Sequence, residues 1–299
     1  MRIAILANQR SWYAKDLRRV IADAGHEPLL LDFRSLVAEV GSGEAGVWAL
    51  DYELNRFSLG EVDAVIVRTM PPGSLEQVVF RMNVLGQLAE AGISVVNSPR
   101  SIECAVDKYL TTARLAAAGV PVPKTATCET VEQGMECFER LGRDVVLKPV
   151  FGAEGRGIVR LTDEETAFRV FKSLRMTDAV FYVQAFVPHA GFDVRLMVLD
   201  GKVVASMKRV NELDFRTNVN QRGRAEVYEA TDAERDLACR AAAATGTRIA
   251  GIDIIRDADG LPFVLEVNAV PGWKALGSVT KVDVASLLIR SIEEERKQR

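Results

Sequence analysis

Residues 146–161, VLKPVFGAEGRGIVRL, place a glycine-rich loop between two apolar strands. The loop carries Gly152, Gly155, Arg156 and Gly157, and the strand before it carries Lys148. Glycines let backbone N–H groups approach phosphate oxygens, and a lysine within an apolar strand needs an anionic partner. Neither GK[ST] nor a helix follows the glycines, which excludes a P-loop and the dinucleotide-binding fingerprint. We therefore expect a phosphate-binding loop between strands, with a flexible surface hairpin as the alternative.

A second stretch, GIDIIRDADGLPFVLEVN at 251–268, has the pattern of a β-hairpin with Asp-Gly at 259–260 as its turn. Asp253 lies on the first predicted strand, and Glu266 and Asn268 share one face of the second. Carboxylate and amide oxygens that converge in this way are typical ligands of Mg²⁺ beside nucleotide phosphates. The hairpin therefore predicts a magnesium site, with an exposed polar sheet face as the alternative.

Between these stretches, residues 193–224 are rich in charged and polar side chains. They include Asp193, Arg195, Lys208, Arg209, Arg216, Asn218, Arg222 and Arg224. Arginines near a phosphate site neutralise a transferring phosphoryl group or hold a substrate carboxylate. The alternatives are a solvated loop, or neutralisation by Glu212, Asp214 or Glu226, which lie nearby in the sequence.

Composition narrows the class of protein further. The 299 residues predict two or three packed units, and 48% hydrophobic with 26% charged residues is ordinary globular composition. A net charge of -3 removes the usual electrostatic reason to expect a nucleic-acid partner. No apolar run reaches the ~20 residues that span a bilayer, so we expect no membrane partner. Four cysteines without a CxxC pair suit the reducing cytosol, which predicts a cytoplasmic protein.

Strand and helix patterns alternate along the chain, which predicts an α/β fold with α+β character towards the C-terminus. Residues 1–97 read as a small domain with an open, mostly parallel sheet. Residues 98–187 read as a second α+β subdomain, and residues 188–299 as a hairpin-rich third one that closes on a helix at 283–296. The first strand is followed by ANQRSW instead of GxGxxG, which argues against a dinucleotide-dependent enzyme.

Segments that cover nearly the whole chain together carry a resemblance to a known family. They are DKYLTTARLAAAGVPVPKT, VLKPVFGAEGRG, VQAFV, FDVRLMVLDGKVVASMKR, FRTNVNQRG and EVNAVPGWKAL. As a set they resemble the ATP-grasp superfamily, and within it the RimK-like carboxylate–amine ligases. The ending VNAVPGWKAL looks most like ligases that add glutamate to tetrahydromethanopterin-type cofactors. The resemblance implies an ATP-grasp fold preceded by the N-terminal α/β domain.

The resemblance and the residue patterns described above together predict a role for each candidate residue. Those that bind ATP are Lys108, Lys148, Gly152, Gly155, Arg156, Gly157, Asp193 and Lys208, with Gln184, Ala185, Phe186 and Val187 as the adenine-binding hinge. Those that bind two Mg²⁺ (or Mn²⁺) ions are Asp253, Glu266 and Asn268. The catalytic residues are Arg195, Arg216 and Asn218, and the substrate-binding residues are Arg68 and Arg209. Ala185 departs from the family, where many members carry an acidic residue, but adenine meets mostly backbone at this position.

The implied reaction is ATP-dependent amide formation, in which a substrate carboxylate becomes an acylphosphate that an amino acid then attacks. The positive charge within 195–224 exceeds what three phosphates beside Mg²⁺ require, and it predicts a preference for glutamate over glutamine. The resemblance implies a small-molecule carboxylate as the acceptor, for example a tetrahydromethanopterin-like cofactor. A protein or carrier-protein C-terminus and a non-catalytic ATP-binding regulatory module are the alternatives. The sequence leaves open the acceptor, the linkage and whether the chain forms a homo-oligomer.

Arg68 and Trp273 are singled out by their positions. Arg68 begins RTMPPGS at 68–74, at the carboxyl end of a predicted strand, where ligands bind open α/β sheets. We expect it to pair either with a carboxylate of the acceptor or with an acid of the chain itself. Pro-Gly at 271–272 predicts a turn, and the Trp273 side chain either fills the core or offers a stacking platform.

Overall fold

The computed structural model describes residues 1–41, 46–152, 155–211, 214–216 and 223–298. The chain folds into two compact units. Unit 1 comprises Met1–Ile102, Gly246–Ile249 and Ala269–Arg299, and unit 2 comprises Glu103–Thr245 and Ala250–Asn268. In this part of the chain, no helix is long and apolar enough to cross a membrane.

Strands and helices alternate as the sequence predicts. In chain order, the strands are β1 (Arg2–Leu6), β2 (Glu27–Leu31), β3 (Val37–Glu39), β4 (Gly46–Leu50), β5 (Arg56–Ser58), β6 (Ala64–Val67), β7 (Ser94–Val96), β8 (Thr125–Cys128), β9 (Val145–Pro149), β10 (Val159–Leu161), β11 (Phe181–Ala185), β12 (Phe192–Leu199), β13 (Lys202–Val210), β14 (Arg224–Val227), β15 (Ile249–Arg256) and β16 (Pro262–Asn268). The helices are α1 (Trp12–Asp23), α2 (Leu75–Glu90), α3 (Pro99–Val106), α4 (Lys108–Ala117), α5 (Val131–Arg140), α6 (Glu164–Arg175), α7 (Asp232–Thr245), α8 (Lys274–Thr280) and α9 (Val284–Gln298).

Unit 1 is built on a four-stranded sheet of order β2-β1-β6-β7, in which every pair is parallel. The strands are continuous apolar runs, as parallel strands buried on both faces require. Helix α1 buries Leu17, Val20 and Ile21, which recur at helical spacing, and helix α2 begins with a Ser74 capping box. Strands β3, β4 and β5 form a small antiparallel sheet that the sequence did not predict, because two of them have only three residues.

The C-terminal segment belongs to unit 1, which differs from the predicted third subdomain of residues 188–299. The reason lies in side-chain contacts over long sequence separations. Helix α9 packs on α1, its Glu293 carboxylate lies 2.7 Å from Nε2 of His26, and Arg296 forms a 3.0 Å ion pair with Asp63. Hairpin patterns identify a β-rich segment but carry no information about such partners.

Unit 2 contains two sheets. The first has the order β10-β9-β11-β8, with all pairs antiparallel, and its core holds Phe138 and Phe171 from α5 and α6 beside Phe181 from β11. The second has the order β14-β13-β12-β15-β16 and packs on α7. Its two hairpins turn where the sequence predicts, at Asp200-Gly201 and before Leu261. Asp200 and Gly201 have φ angles of 49° and 72°, the left-handed region that a tight Asp-Gly turn requires.

Candidate active site

Unit 2 contains an open cavity. Its walls include the predicted residues Lys108, Lys148, Gln184, Ala185, Phe186, Val187, Asp193, Arg209, Arg216, Asp253 and Glu266. Outside the lining are the described residues Gly152, Gly155, Arg156, Gly157, Arg195, Lys208 and Asn268. Asn218 lies outside the residues that the structure describes. Most of the side chains that the sequence marks for nucleotide and metal chemistry are thus gathered around one space.

Lys148 is held by a neutral partner. Its Nζ donates a 2.6 Å hydrogen bond to Oε1 of Gln184, and Gln184 in turn donates from Nε2 to Oγ1 of Thr125 and to the hydroxyl of Tyr182. Burial lowers the pKa of Lys148 to about 8, and the nearby Glu266 carboxylate opposes that shift. A half-buried ammonium group whose hydrogen-bond partner is a neutral amide favours the binding of an anion.

Lys108 stands near Lys148, at the first turn of α4. Its Nζ donates a 2.9 Å hydrogen bond to the carbonyl of Gly152, so it reaches the beginning of the glycine loop. Burial lowers its pKa as well, and Glu266 again opposes the shift. Two lysines with weakened protonation in one cavity are typical of a site for a polyanion.

The predicted adenine hinge runs through the end of β11. The N–H groups of Ala185 and Phe186 are already bonded, to the carbonyls of Lys124 and Asp144 at 2.8 and 2.9 Å. The N–H of Val187 makes no hydrogen bond to a residue within the described ranges. The first backbone N–H of this segment that is available to a ligand is therefore that of Val187, and we expect a purine to hydrogen-bond there.

Asp193, Arg209, Asp253 and Arg195 form a chain of alternating charges across neighbouring strands. Arg209 faces Asp193 across the β12–β13 pair and donates from Nε at 2.6 Å and from Nη2 to its carboxylate. The same Nη2 lies 2.9 Å from Oδ2 of Asp253, and Arg195 binds both oxygens of Asp253 at 2.7 and 2.6 Å. Asp193, Arg209 and Asp253 are 2–3% exposed, so the chain is part of the core.

The charge chain shifts the pKa values of Asp253 and Arg209 in opposite directions. Burial by itself would raise the pKa of Asp253, but Arg195 and Arg209 hold it below the usual range. Burial likewise opposes the charge of Arg209, yet Asp253 and Asp193 raise its pKa. Arg209, predicted to contact substrate, and Asp193, predicted to face the ribose, are therefore engaged with each other.

Glu266 contrasts with the acids of this chain. It faces Asp253 across the β15–β16 pair, yet its carboxylate makes no hydrogen bond or ion pair with a residue that the structure describes. Asn268, two residues on, donates from Nδ2 to the carbonyl of Gly251 at 3.3 Å, which leaves its Oδ1 to accept a cation. These hard oxygen donors fit Mg²⁺. The described residues hold no cluster of three His, Cys, Asp or Glu, and this set has only two acids.

Most of the described basic side chains of 195–224 are paired with acids, so the predicted excess of positive charge is absent among them. Arg195 and Arg209 belong to the charge chain, Arg216 forks onto Asp214 with its closest contact at 2.6 Å, and Arg224 pairs with Glu226 at 2.6 Å. Lys208 lies 4.2 Å from the centroid of the Phe192 ring. Arg222 lies outside the described residues. Neutralisation by acids nearby in the sequence, the alternative given above, accounts for Arg216 and Arg224, whereas Arg195 and Arg209 are neutralised by Asp193 and Asp253. The charge count therefore does not support a preference for glutamate.

Sequence reasoning missed the residues that position Lys148 and one wall of the cavity. Tyr182 and Thr125 hold Gln184, and His189 lines the cavity with its Nδ1 accepting from the N–H of Gly191 at 3.1 Å. Burial lowers the pKa of His189. The two-residue spacing of Tyr182 and Gln184 on one strand was an available signal, whereas nothing in the sequence distinguishes His189.

Arg68 lies in unit 1, directly after β6, and it has no acidic partner among the residues of the structure's described ranges. Its Nη2 donates a 2.8 Å hydrogen bond to the carbonyl of Pro271. Its carbon Cζ lies 4.2 Å from the centroid of the Trp273 ring and 4.8 Å from that of Tyr13. Trp273 therefore fills the core, at 2% exposure, and also stacks on a cation.

Comparisons with known proteins identify the family of the chain. Residues 105–292 match the RimK-like ATP-grasp domain, and residues 1–102 match the RimK PreATP-grasp domain. The tetrahydromethanopterin:alpha-L-glutamate ligase of Methanosarcina acetivorans is 29% identical, over 96% of this chain and 97% of that protein. A relative from Cellvibrio japonicus named probable alpha-L-glutamate ligase is 32% identical, over 99% of this chain and 97% of its own length.

Solved structures agree as well. The ATP-grasp ligase PsnB complexed with minimal precursor has a TM-score of 0.77 and 25% identity, covering 98% of each chain. Its complex with minimal precursor, Mg and ADP has a TM-score of 0.76 and 24% identity, covering 98% of this chain and 96% of that one. The domain matches extend over most of the sequence, and the chain therefore belongs to the RimK-like ATP-grasp family.

Proposed function

We propose that the chain is an ATP-dependent carboxylate–amine ligase that joins the amine of L-glutamate to a substrate carboxylate. One observation carries the proposal. The cavity of unit 2 contains a half-buried lysine, Lys148, whose hydrogen-bond partner among the described residues is a neutral amide, and a carboxylate, Glu266, without a partner among those residues. The lysine needs an anion and the carboxylate needs a cation, and a complex of ATP with a divalent metal supplies both.

The chain's own residues contribute binding and charge neutralisation to this reaction. Lys148 and Lys108 neutralise phosphate oxygens, and Gln184 fixes the position of the Lys148 ammonium group. The γ-phosphoryl group passes to the acceptor carboxylate to give an acylphosphate, the amino-acid amine attacks its carbonyl carbon, and phosphate leaves. Such chemistry needs positioning and electrostatic stabilisation but no nucleophile from the protein.

Mg²⁺ (or Mn²⁺), with two ions as the proposed number, supplies further neutralisation of the phosphate charge when bound. Glu266 and Asn268 are the proposed ligands, with Asp253 as the third. Asp253 would contribute a carboxylate that also accepts hydrogen bonds from Arg195, and we propose that Arg195 neutralises charge in the transfer step. Arg216, at the cavity wall, and Asn218 are the other residues that we propose for the transfer step.

The choice of glutamate rests on the names of the relatives from Methanosarcina acetivorans and Cellvibrio japonicus. A small-molecule acceptor of the tetrahydromethanopterin class follows from the first of these names. PsnB was solved with a precursor, which makes a peptide acceptor the alternative. The four cysteines are free, in keeping with the reducing cytosol as the proposed compartment.

ADP release from ATP and Mg²⁺ tests the proposal, measured with glutamate and candidate acceptors together and with each omitted. We expect ADP to form in step with a product heavier than the acceptor by whole glutamate residues. Glu266→Gln is the matched control, because it removes one charge at nearly constant volume. Nucleotide binding without acceptor-dependent ADP release would contradict a ligase and leave an ATP-binding regulatory module.

A further inference from the structure

Arg68 in unit 1 is a buried cation that has no acidic partner within the described ranges. The residue is 5% exposed, and the hydrogen bond that its guanidinium group makes to a described residue runs from Nη2 to the Pro271 carbonyl. Its Nε is buried and makes no hydrogen bond to a described residue. A guanidinium group has five N–H donors, and leaving the buried Nε–H without a partner is costly.

The surroundings of Arg68 hold its guanidinium plane in place. The rings of Tyr13 and Trp273 lie against it, and the indole N–H of Trp273 donates to Oδ2 of Asp16 at 2.9 Å. Gly272 is required for this arrangement, because a Cβ built there would lie 2.7 Å from the hydroxyl of Tyr13. Two aromatic faces offset part of the desolvation cost of a cation, but they do not neutralise it.

The position of Arg68 in the sheet is an independent observation. The sheet has the order β2-β1-β6-β7, so the strand that follows β1 (β2) lies on one side of the β1–β6 pair and the strand that follows β6 (β7) lies on the other. The N–H of Arg68 donates to the carbonyl of Leu6, the last residue of β1, so Arg68 stands at the carboxyl ends of these two strands. This switch point is where open parallel sheets bind ligands.

We propose that Arg68, walled by Tyr13 and Trp273, is the receptor for one carboxylate group of the acceptor molecule. The identification of the ligand as the acceptor rests on the proposed ligase function, whereas the anion site rests on unit 1 alone. A carboxylate matches the planar guanidinium fork, and its single charge balances the single cation of the cage. The structural alternative is that Arg68 only braces the turn at 271–273 through the Pro271 carbonyl.

Titration of the full-length protein with glutarate tests the site, with the indole N–H signal of Trp273 followed by ¹⁵N NMR. The signal is assigned with Trp273→Phe, and sodium chloride at equal ionic strength and inorganic phosphate are the comparison arms. We expect a saturable shift with glutarate, a weaker response to phosphate and none to chloride. Arg68→Lys should weaken glutarate binding about ten- to a hundredfold, because a point charge replaces the planar fork.

Arg81→Lys is the matched control. Arg81 is also 5% exposed in unit 1, and its Nη1 donates to the carbonyl of Pro71 at 2.8 Å, so the change has the same chemistry at a different place. Glutarate binding by Arg81→Lys should equal that of the unaltered protein. Absence of a saturable glutarate shift, or equal binding by Arg68→Lys at an unchanged melting temperature, would overturn the proposal in favour of a brace.

The titration uses neither ATP nor turnover, so its outcome is separate from the test of the ligase. If no ADP is released but glutarate still shifts the Trp273 signal in an Arg68-dependent way, the proposed ligase function is wrong and the proposed anion site stands. If ADP release depends on the acceptor but glutarate causes no shift, the ligase function stands and Arg68 is not a carboxylate receptor.

Discussion

Arg209 in unit 2 and Arg68 in unit 1 are both buried guanidinium groups, at 3% and 5% exposure, but their partners differ. Arg209 lies between two carboxylates, those of Asp193 and Asp253, and their charges raise its pKa. Arg68 has two aromatic rings and one carbonyl, and burial lowers its pKa to about 10. The first arginine completes the fold, whereas the second is a cation at neutral pH that the described structure leaves without a counter-charge.

Replacing Arg209 should produce the largest effect. Arg209→Met removes the guanidinium group that pairs with both Asp193 and Asp253, and breaking a buried ion pair costs about 3–5 kcal/mol of unfolding free energy. Urea unfolding followed by far-UV circular dichroism measures the loss. The double variant Arg209→Met with Asp193→Leu should recover part of it, and a double variant as unstable as the sum of the singles would show that the two residues do not interact.

Glu266 offers the opposite case, an acid whose loss should affect activity rather than folding. Glu266→Gln removes a proposed metal ligand, and we expect a loss of more than about 3 kcal/mol in transition-state stabilisation. The free energy of unfolding should change by less than about 0.5 kcal/mol, because the carboxylate has no ion-pair partner in the described structure. The two quantities are measured as ADP release at saturating Mg²⁺ and urea unfolding. Near-normal turnover would remove Glu266 from the metal site.

The aromatic wall of Arg68 depends on Gly272. In Gly272→Ala the added methyl group meets the Tyr13 hydroxyl, so we expect unit 1 to lose about 1–3 kcal/mol. Trp12, Trp48 and Trp273 all lie in unit 1, so tryptophan fluorescence during urea unfolding reports on this unit. Gly60→Ala is the control, since a Cβ there lies 3.6 Å from its nearest neighbour. Equal stability of the two variants would mean that the Tyr13 ring is not fixed as described.

The smallest expected effect is the pH dependence of nucleotide binding. The pKa of Lys148 is lowered to about 8, so the lysine loses its charge as pH rises through 8, and ADP affinity should fall about tenfold between pH 7 and pH 9. Isothermal titration calorimetry with ADP measures this. The ADP affinity of Lys148→Arg should not change over the same pH range. Glutarate binding at Arg68 should not change either, because the pKa of Arg68 is about 10. An equally steep decline in Lys148→Arg would assign the titration to another group.

The same pKa shift has a consequence for folding. Burial lowers the pKa of Lys148 in the folded state, so the unfolded chain binds more protons between about pH 8 and the ordinary lysine pKa. The contribution of Lys148 to stability therefore rises with pH through this window and is unfavourable below it. Bound phosphate reverses the effect, because it stabilises the charged form.

The parts of the fold that sequence could predict are those with local signals. Asp-Gly turns fixed both hairpins, and the turn before Leu261 brings Asp253 opposite Glu266 as the pattern required. Helical spacing located α1 and α2. The three-residue strands β3 and β5 were missed, because so short a stretch carries too little periodicity to distinguish it from a loop.

Partners distant in sequence could not be predicted. The engagement of Asp253 by Arg195 joins residues 58 positions apart, and the contact of Arg68 with Pro271 spans 203. Residue types and turns placed the candidate ligands on adjacent strands but did not reveal which acids the arginines had already neutralised. The residue roles proposed from the family resemblance stay predictions until variants are measured.

The unfolding free energy of Arg68→Met, measured beside Arg209→Met in the same urea series, tests the comparison most directly. Removing a buried cation that has no acidic partner among the described residues relieves its desolvation cost, so Arg68→Met should stay within about 1 kcal/mol of the unaltered protein by far-UV circular dichroism, the probe used for Arg209→Met. Glutarate should stabilise the unaltered protein but not this variant. A loss in Arg68→Met as large as that in Arg209→Met, with no effect of glutarate on either protein, would contradict the account and make Arg68 a structural residue.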